Sequence, residues 1–398
     1  MPIRSTALVV GVVTLTTGCL TGLGLPPPMG GGGQSGTTQK SGPTATGDRG
    51  GGASDGGSPL LDGGPGTGGS TLDALPARNN FDLERWVTKQ GPLIAGTKWL
   101  AGDFDDDGRT DLAAVFNDQG NASIDVWLST GSTFVRQRWA TQQGAFWDAQ
   151  KWLAGDFDGD GRADLANVFN DLDQISIDVH RSTRNGFTVE RWATRQGDFW
   201  DAQQWVAGDF DGDRDTDLAN VFEEFGKTSF DLHRSTGSAF TFQRWATRTA
   251  AFSATQKWLA GTFGDDGADA LLTVFDDNGG ISLDAYFRSG TTLIGSPRGR
   301  QLGPFSVAQK WLAGNFAGGG GAPDLANVFG DQDQASIDVL LVNASGTAVQ
   351  RWATQQGAYW DAQQWLAGDF DRDQMDDLAN VFGDNGFISI DVHHRLKP

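Results

Sequence analysis

Cysteine occurs once in the chain, at Cys19, so no disulfide can form within it and other forces must hold the fold. Basic residues are also scarce: 30 Lys and Arg stand against 50 Asp and Glu, giving a formal net charge of −20. Nucleic acid and anionic lipid would be repelled by that balance, which excludes both as the main partner, whereas bound cations would offset part of it. No segment carries a sustained helical period. Aromatic residues fail almost completely between Leu20 and Pro76, where the text runs PPPMGGGGQSG, GDRGGGASDGG and LDGGPGTGGS. Residues 20–76 are too poor in apolar surface to build a core and are expected to form a disordered Gly/Ser/Pro-rich tether.

Ahead of Cys19 stands MPIRSTALVVGVVTLTTG, with Arg4, an apolar stretch from Ala7 to Leu15, and small residues ending in Thr17-Gly18. Residues 1–19 read as an export signal too short to span a membrane stably. A cysteine in this place resembles the lipobox of bacterial lipoproteins, and the resemblance implies acylation of Cys19 and a membrane association made only through that lipid anchor. A simple signal peptide with an incidental cysteine is the other reading. Both make the protein exported, either secreted or held at the cell surface or outer membrane, and a monomer is expected.

The remainder, residues 77–398, is a repeat. A glycine in an Ala-Gly-x-Phe step recurs at Gly102, Gly155, Gly208, Gly261, Gly314 and Gly368, at intervals of 53, 53, 53, 53 and 54 residues. Each is preceded by a tryptophan at a distance of three: Trp99, Trp152, Trp205, Trp258, Trp311 and Trp365. A period near 50 points to a propeller or solenoid. Within one unit, WLAGDF, DLANVF, ISIDVHRS and TVERWAT are short strand signals separated by turns, which is the content of one four-stranded propeller blade. The repeat opens with NNFDLERW, matching a fourth strand, and closes with ISIDVHHR, matching a third. Pairing the two would close a ring, so the expected fold is all-β, a six-bladed β-propeller.

Between the first two strands of a blade lies an acidic turn. In the second unit its aspartates are Asp156, Asp158, Asp160 and Asp164, at loop positions 1, 3, 5 and 9, with Arg162 at position 7 offering a backbone carbonyl. Calcium takes 6 to 8 oxygen ligands, and without a cation so many adjacent carboxylates would repel one another. The pattern recurs as Asp103, Asp105, Asp107, Arg109 and Asp111; as Asp209, Asp211, Asp213, Asp215 and Asp217; and as Asp369, Asp371, Asp373, Met375 and Asp377. Arg214 and Gln374 replace the loop glycine in the last two, which predicts strained turns. The fourth unit has Thr262, Gly264 and Ala270 at ligand places, and the fifth keeps only Asn315 and Asp324. About four calcium sites are expected, not six.

A D-x-D-x-D-G-x-x-D turn in a strand–loop–strand repeat resembles the FG-GAP or VCBS repeats of integrin α-subunit heads and many bacterial surface proteins, and is similar to the calcium-containing propeller lectins of fungi. The resemblance covers about residues 80–398 and implies a calcium-stabilised binding propeller. A candidate ligand site lies in the connections entering units two, three and six, which present Trp147-Asp148, Trp200-Asp201 and Trp360-Asp361. An indole plane beside a carboxylate suits a sugar. The same units carry His180, His233 and His393, where the others have Trp127, Tyr286 and Leu340. Recent duplication or three equivalent binding sites would each explain that. Ser176 and Asp178, repeated in every unit, read as a structural hydrogen-bond element, and Arg191-Trp192 as blade packing. Three functions follow in order: a lectin or adhesin binding glycans or surface glycoproteins, a protein-interaction scaffold, and, last, a polysaccharide-active enzyme, since no unit carries a unique catalytic constellation.

Overall fold

The structure, a computed structural model, describes residues 80–264, 267–318, 323–343 and 345–397. The expected export signal, Cys19 and the expected tether therefore lie outside the described residues. Among the described residues there is no helix. The strands form six four-stranded antiparallel sheets, covering residues 98–140, 151–193, 204–246, 257–299 and 310–353, with 364–395 completed by 81–87. Each is a blade, and in the first five the strands run in sequence order from inside to outside. The short inner strands, such as Lys151–Gly155, neighbour those of the blades before and after, and the sixth returns to the first. The expected propeller of six blades is thus what the chain forms.

Closure occurs as the terminal strand signals require. Phe81–Val87 supplies the outer strand of blade six, pairing with Phe387–Arg395 from Phe81 opposite Arg395 to Val87 opposite Ile390. Its register skips Trp86, and the outer strands of blades one, two, three and five skip Trp139, Trp192, Trp245 and Trp352 in the same way. Such a bulge holds an extra residue out of the ladder and re-aims its side chain. Here it turns each indole toward the next blade: Trp139 meets Phe187 at 5.3 Å between ring centroids, Trp192 meets Phe240 at 5.4 Å, and Trp86 meets Phe134 at 5.0 Å.

The molecule accordingly has no single central core. Its buried apolar residues fall into six clusters, each drawn from two adjacent blades. Inner and middle strands are covered on both faces, so their buried runs are nearly continuous, while outer strands such as Phe187–Ala193 are exposed through their middle. Polar contacts cross the same seams. Ser129, Ser182 and Ser235 each donate a hydroxyl to a carbonyl of the preceding blade, of Phe370, Phe104 and Phe157, at 2.6 Å. The repeated Ala-Gly step also has a packing reason: a Cβ on Gly155 would stand 2.5 Å from Thr216 of the next blade, and one on Gly368 2.4 Å from Thr110.

Candidate cation loops and aromatic turns

The acidic loops join the inner strand of a blade to the next strand, so all lie on one face of the ring. They are also linked to one another. The carbonyl at loop position 1 accepts the N–H at position 8 of the following loop: Thr110 donates to Asp369 (2.8 Å), Ala163 to Asp103 (2.8 Å), Thr216 to Asp156 (2.7 Å), Asp269 to Asp209 (2.7 Å) and Asp376 to Asn315 (3.1 Å). At the sixth seam, between blades four and five, position 8 is Pro323, which has no N–H to give.

Inside each loop, backbone donors fold the carboxylates inward. In blade one Asp103 accepts from the N–H of Gly108 (2.9 Å) and Asp107 (3.2 Å), and in blade two Asp156 accepts from Gly161 (2.8 Å) and Asp160 (3.1 Å). The position-9 aspartates, at the start of the second strand, are almost wholly buried. One oxygen of each accepts a 2.7 Å hydrogen bond from a backbone N–H: Ser129 to Asp111, Ser182 to Asp164, Ser235 to Asp217 and Arg395 to Asp377. The other oxygen faces the loop. Burial pushes the carboxyls of Asp111, Asp164 and Asp217 up to about 8, and those of Asp377, Asp103, Asp156 and Asp369 to about 6.

Positions 1, 3 and 9 converge in blades one, two and three, with one oxygen from each of Asp156, Asp158 and Asp164, and their counterparts, within 4.8 Å of one another. Position 5 departs from the expected set. Asp107 pairs with Arg109, and Asp160 with Arg162, so in those loops the arginine side chain holds a carboxylate foreseen as a ligand. In blade six Asp369, Asp371 and Asp373 converge, while Asp371 and Asp377 also meet His394. The side chains of Asp215 and Met375 join no such cluster; Asp215 instead lies over the loop of blade two at Gly159. Arg214 and Gln374 adopt left-handed φ values of 84° and 74°, the strain their sequence positions predict.

Among the described residues of blades four and five there is no such cluster. Thr262 donates to Asp269 (2.8 Å), whose other oxygen accepts from the N–H of Asp209 (3.0 Å). The Asn315 side chain donates to the Gln374 carbonyl (2.9 Å), and Asp324 accepts from the N–H of Ala317 (2.8 Å). At these former ligand places only Asn315 is spent on a seam, while Thr262 and Asp324 are held within their own loops.

The opposite face carries the aromatic turns. Trp147, Trp200 and Trp360 are 37%, 37% and 38% exposed, a near-identity that marks three equivalent settings. Each stands edge-on to a phenylalanine at the end of the second strand: Phe169 at 6.0 Å and 86°, Phe222 at 5.4 Å and 86°, and Phe382 at 5.4 Å and 85°. An arginine covers each of these rings, Arg191, Arg244 and Arg85, and pairs with the strand-three aspartate, Asp178, Asp231 and Asp391. The repeated arginine therefore stacks on phenylalanine rather than on its tryptophan neighbour. Ser176 donates to Asp171 at 3.0 Å, which makes it the structural element its recurrence implied. Asp148, Asp201 and Asp361 are exposed beside their tryptophans.

A buried glutamine fixes each turn: Gln150 donates to the Ala145 carbonyl (2.9 Å) and accepts from the Trp147 N–H (3.4 Å), as do Gln203 and Gln363 in their turns. Sequence reasoning passed over this residue. Its signal was there, because Gln256 and Gln309 persist in blades that lack the Trp-Asp pair.

The three histidines do not belong to these turns. His180, His233 and His393 are buried and pack with tilted rings against Trp152, Trp205 and Trp365 of their own blades, each at 5.1 Å between centroids. Burial lowers them to about 4, 3 and 3. They occupy the packing place that Trp127, Tyr286 and Leu340 fill elsewhere, so the histidines themselves are core residues and not part of the aromatic turns.

A family model described as an FG-GAP-like repeat matches residues 103–166, a span that begins at the first acidic loop and includes the second. No curated protein matches the sequence. Among solved structures, the Tc holotoxin pore of Photorhabdus luminescens is similar at 14% identity and a TM-score of 0.53 over 80% of this chain, which spans only 15% of that one. The haemagglutinin-neuraminidase ectodomain of parainfluenza virus 5 aligns at 7% identity, TM-score 0.41, over 80% of this chain and 85% of its own. An endo-arabinase from Bacteroides thetaiotaomicron aligns at 13% identity, TM-score 0.34, over 69% of this chain and 100% of its own. At such identities the holotoxin likeness shows the fold alone.

Proposed function

This chain is a six-bladed β-propeller carrying an FG-GAP-like repeat, and on that premise we propose that it is a calcium-stapled binding module that takes carbohydrate on its aromatic face. The observation that carries the sugar reading is the triple, near-identical presentation of Trp147, Trp200 and Trp360 on turns each tied by a buried glutamine. Each offers an indole plane for sugar C–H groups with a free carboxylate beside it, and three weak sites on one face gain affinity together. Catalysis is not proposed, since the three histidines are buried against tryptophan within the blades rather than on either open face.

The calcium reading is supported by chemistry inside the loops. Asp164 is fully buried, yet its Oδ2 lacks any hydrogen-bond partner while lying against Asp156 and Asp158. A buried carboxylate oxygen left unpaired is costly, and a hard cation is the partner that three convergent carboxylates fit. When bound, calcium would supply positive charge that keeps these groups ionised. The residues of blades one, two and three would hold it, and the loop-to-loop hydrogen bonds would pass the gain in order to neighbouring seams.

A protein partner is the second reading, favoured by Leu172 and Phe225, 75% and 82% exposed at turn tips on the same face. A glycan array probed with the full chain in millimolar calcium separates the two. Binding that is lost in the triple variant Trp147→Ala, Trp200→Ala, Trp360→Ala, with an unchanged melting temperature, supports the lectin. Absence of any glycan signal overturns it and turns attention to Leu172 and Phe225.

A further inference from the structure

Blade six differs from its siblings beside the acidic loop. In blades two and three the third strand places an arginine there, and Arg181 donates from Nε to Asp158 at 2.6 Å while Arg234 pairs with Asp211. Each of those loops thus has a built-in cation at position 3. Blade one has Leu128 in that place, and blade six has His394. Its Nδ1 lies 3.7 Å from Asp377 Oδ2 and 3.9 Å from Asp371 Oδ2. Asp377 is almost completely buried, its Oδ1 is taken by the Arg395 N–H, and its Oδ2 has no hydrogen-bond partner.

The far side of the imidazole is also arranged. Trp86 stacks on the ring at 5.0 Å, and Glu84 Oε2 stands 3.6 Å from Nε2. Histidines that ligate metals commonly direct their second nitrogen to a carboxylate, which fixes the tautomer and makes the first nitrogen a better donor. Two ligand atoms about 2.0–2.1 Å from a tetrahedral ion stand about 3.3–3.4 Å apart, so the observed separations need to close by only a few tenths of an ångström. Calcium prefers all-oxygen sites, whereas imidazole with carboxylates suits zinc and its neighbours.

We propose that blade six holds a zinc-class divalent ion through His394 Nδ1, Asp377 and Asp371, with Glu84 as the positioning residue, while the other acidic loops remain oxygen-only. The proposal rests on reading the loops as cation sites. It assigns the propeller two kinds of metal, with the nitrogen-containing site at the closure strand, where Glu84 and Trp86 come from the N-terminal strand and the ligands from the C-terminal blade.

The test uses the full chain stripped of metal and titrated with Zn²⁺ alone, then with Zn²⁺ in millimolar calcium, with bound metal counted and Co²⁺ absorption recorded. One zinc equivalent that persists in calcium is expected. His394→Leu should lose it and the associated cobalt bands, and Glu84→Gln, an exposed change that leaves the core intact, should weaken it by about 10–100-fold. Zinc binding equal in wild type and both variants, or displaced ion for ion by calcium, would overturn the proposal. Failure of the calcium reading looks different: no calcium uptake in wild type or in Asp164→Asn. Calcium uptake without a His394-dependent zinc equivalent sinks the zinc site alone.

Discussion

At the scale of single residues, backbone strain and buried charge give opposite kinds of prediction. Arg214 and Gln374 sit in the left-handed region where their siblings have glycine, so Arg214→Gly and Gln374→Gly should each stabilise the protein by about 0.5–1 kcal/mol, read by denaturant unfolding in EDTA. The buried histidines set an acid limit. Their folded pKa values lie below the ordinary 6.5, so between about pH 6.5 and 4 the unfolded chain binds more protons than the folded one. The stability they permit is present above pH 6.5 and is lost as pH falls toward the folded values. His393→Leu, which installs the residue blade five already uses, should flatten that loss, and melting curves of variant and wild type should diverge only on the acid side. That these histidines are core was legible in the sequence from Trp127, Tyr286 and Leu340 at the same place in other units. The pairing of Arg181 with Asp158 and the approach of His394 to Asp377 were not, because each joins elements across a blade and depends on side-chain reach rather than on spacing.

At the scale of the element, the acidic loop and the aromatic turn show how far a repeat can be read. One strand pattern per 53 residues was enough for blade content and closure, since every unit states the same four strands and the ends state the missing one. Spacing also located the acidic loops, but it did not reveal that Arg109 and Arg162 turn back on position 5. Burial pushes the position-9 carboxyls of blades one to three up to about 8, so on the proposed calcium reading an ion entering there would displace protons. The calcium-induced rise in melting temperature should therefore be larger at pH 8 than at pH 6, and calorimetry in buffers of different ionisation enthalpy should register proton release. Asp164→Asn should remove one calcium equivalent without touching the aromatic face. An identical increment at both pH values would contradict proton–calcium competition.

At the scale of the whole molecule, the six seams are not equal. Between blades four and five Pro323 cannot donate to the loop before it, and Val342 stands where Ser129, Ser182 and Ser235 make their cross-seam hydrogen bonds. Local opening follows missing contacts. Amide exchange should therefore be fastest in the inner strands Lys257–Gly261 and Lys310–Gly314, and uniform exchange around the ring would refute the unequal seams. The closing blade has a different consequence, one of timing. It joins strands whose ion-paired residues Arg85 and Asp391 are 306 positions apart, so Phe81–Val87 waits for Phe387–Arg395 to be synthesised. Throughout translation Phe81–Val87 has no sheet to join and the ring has an open side. A chain cut short before Phe387 stays an arc with two bare edges, a substrate for proteases and for edge-to-edge association. Closure thereby becomes a test of chain length: only a chain that extends through Phe387–Arg395 can shut the ring.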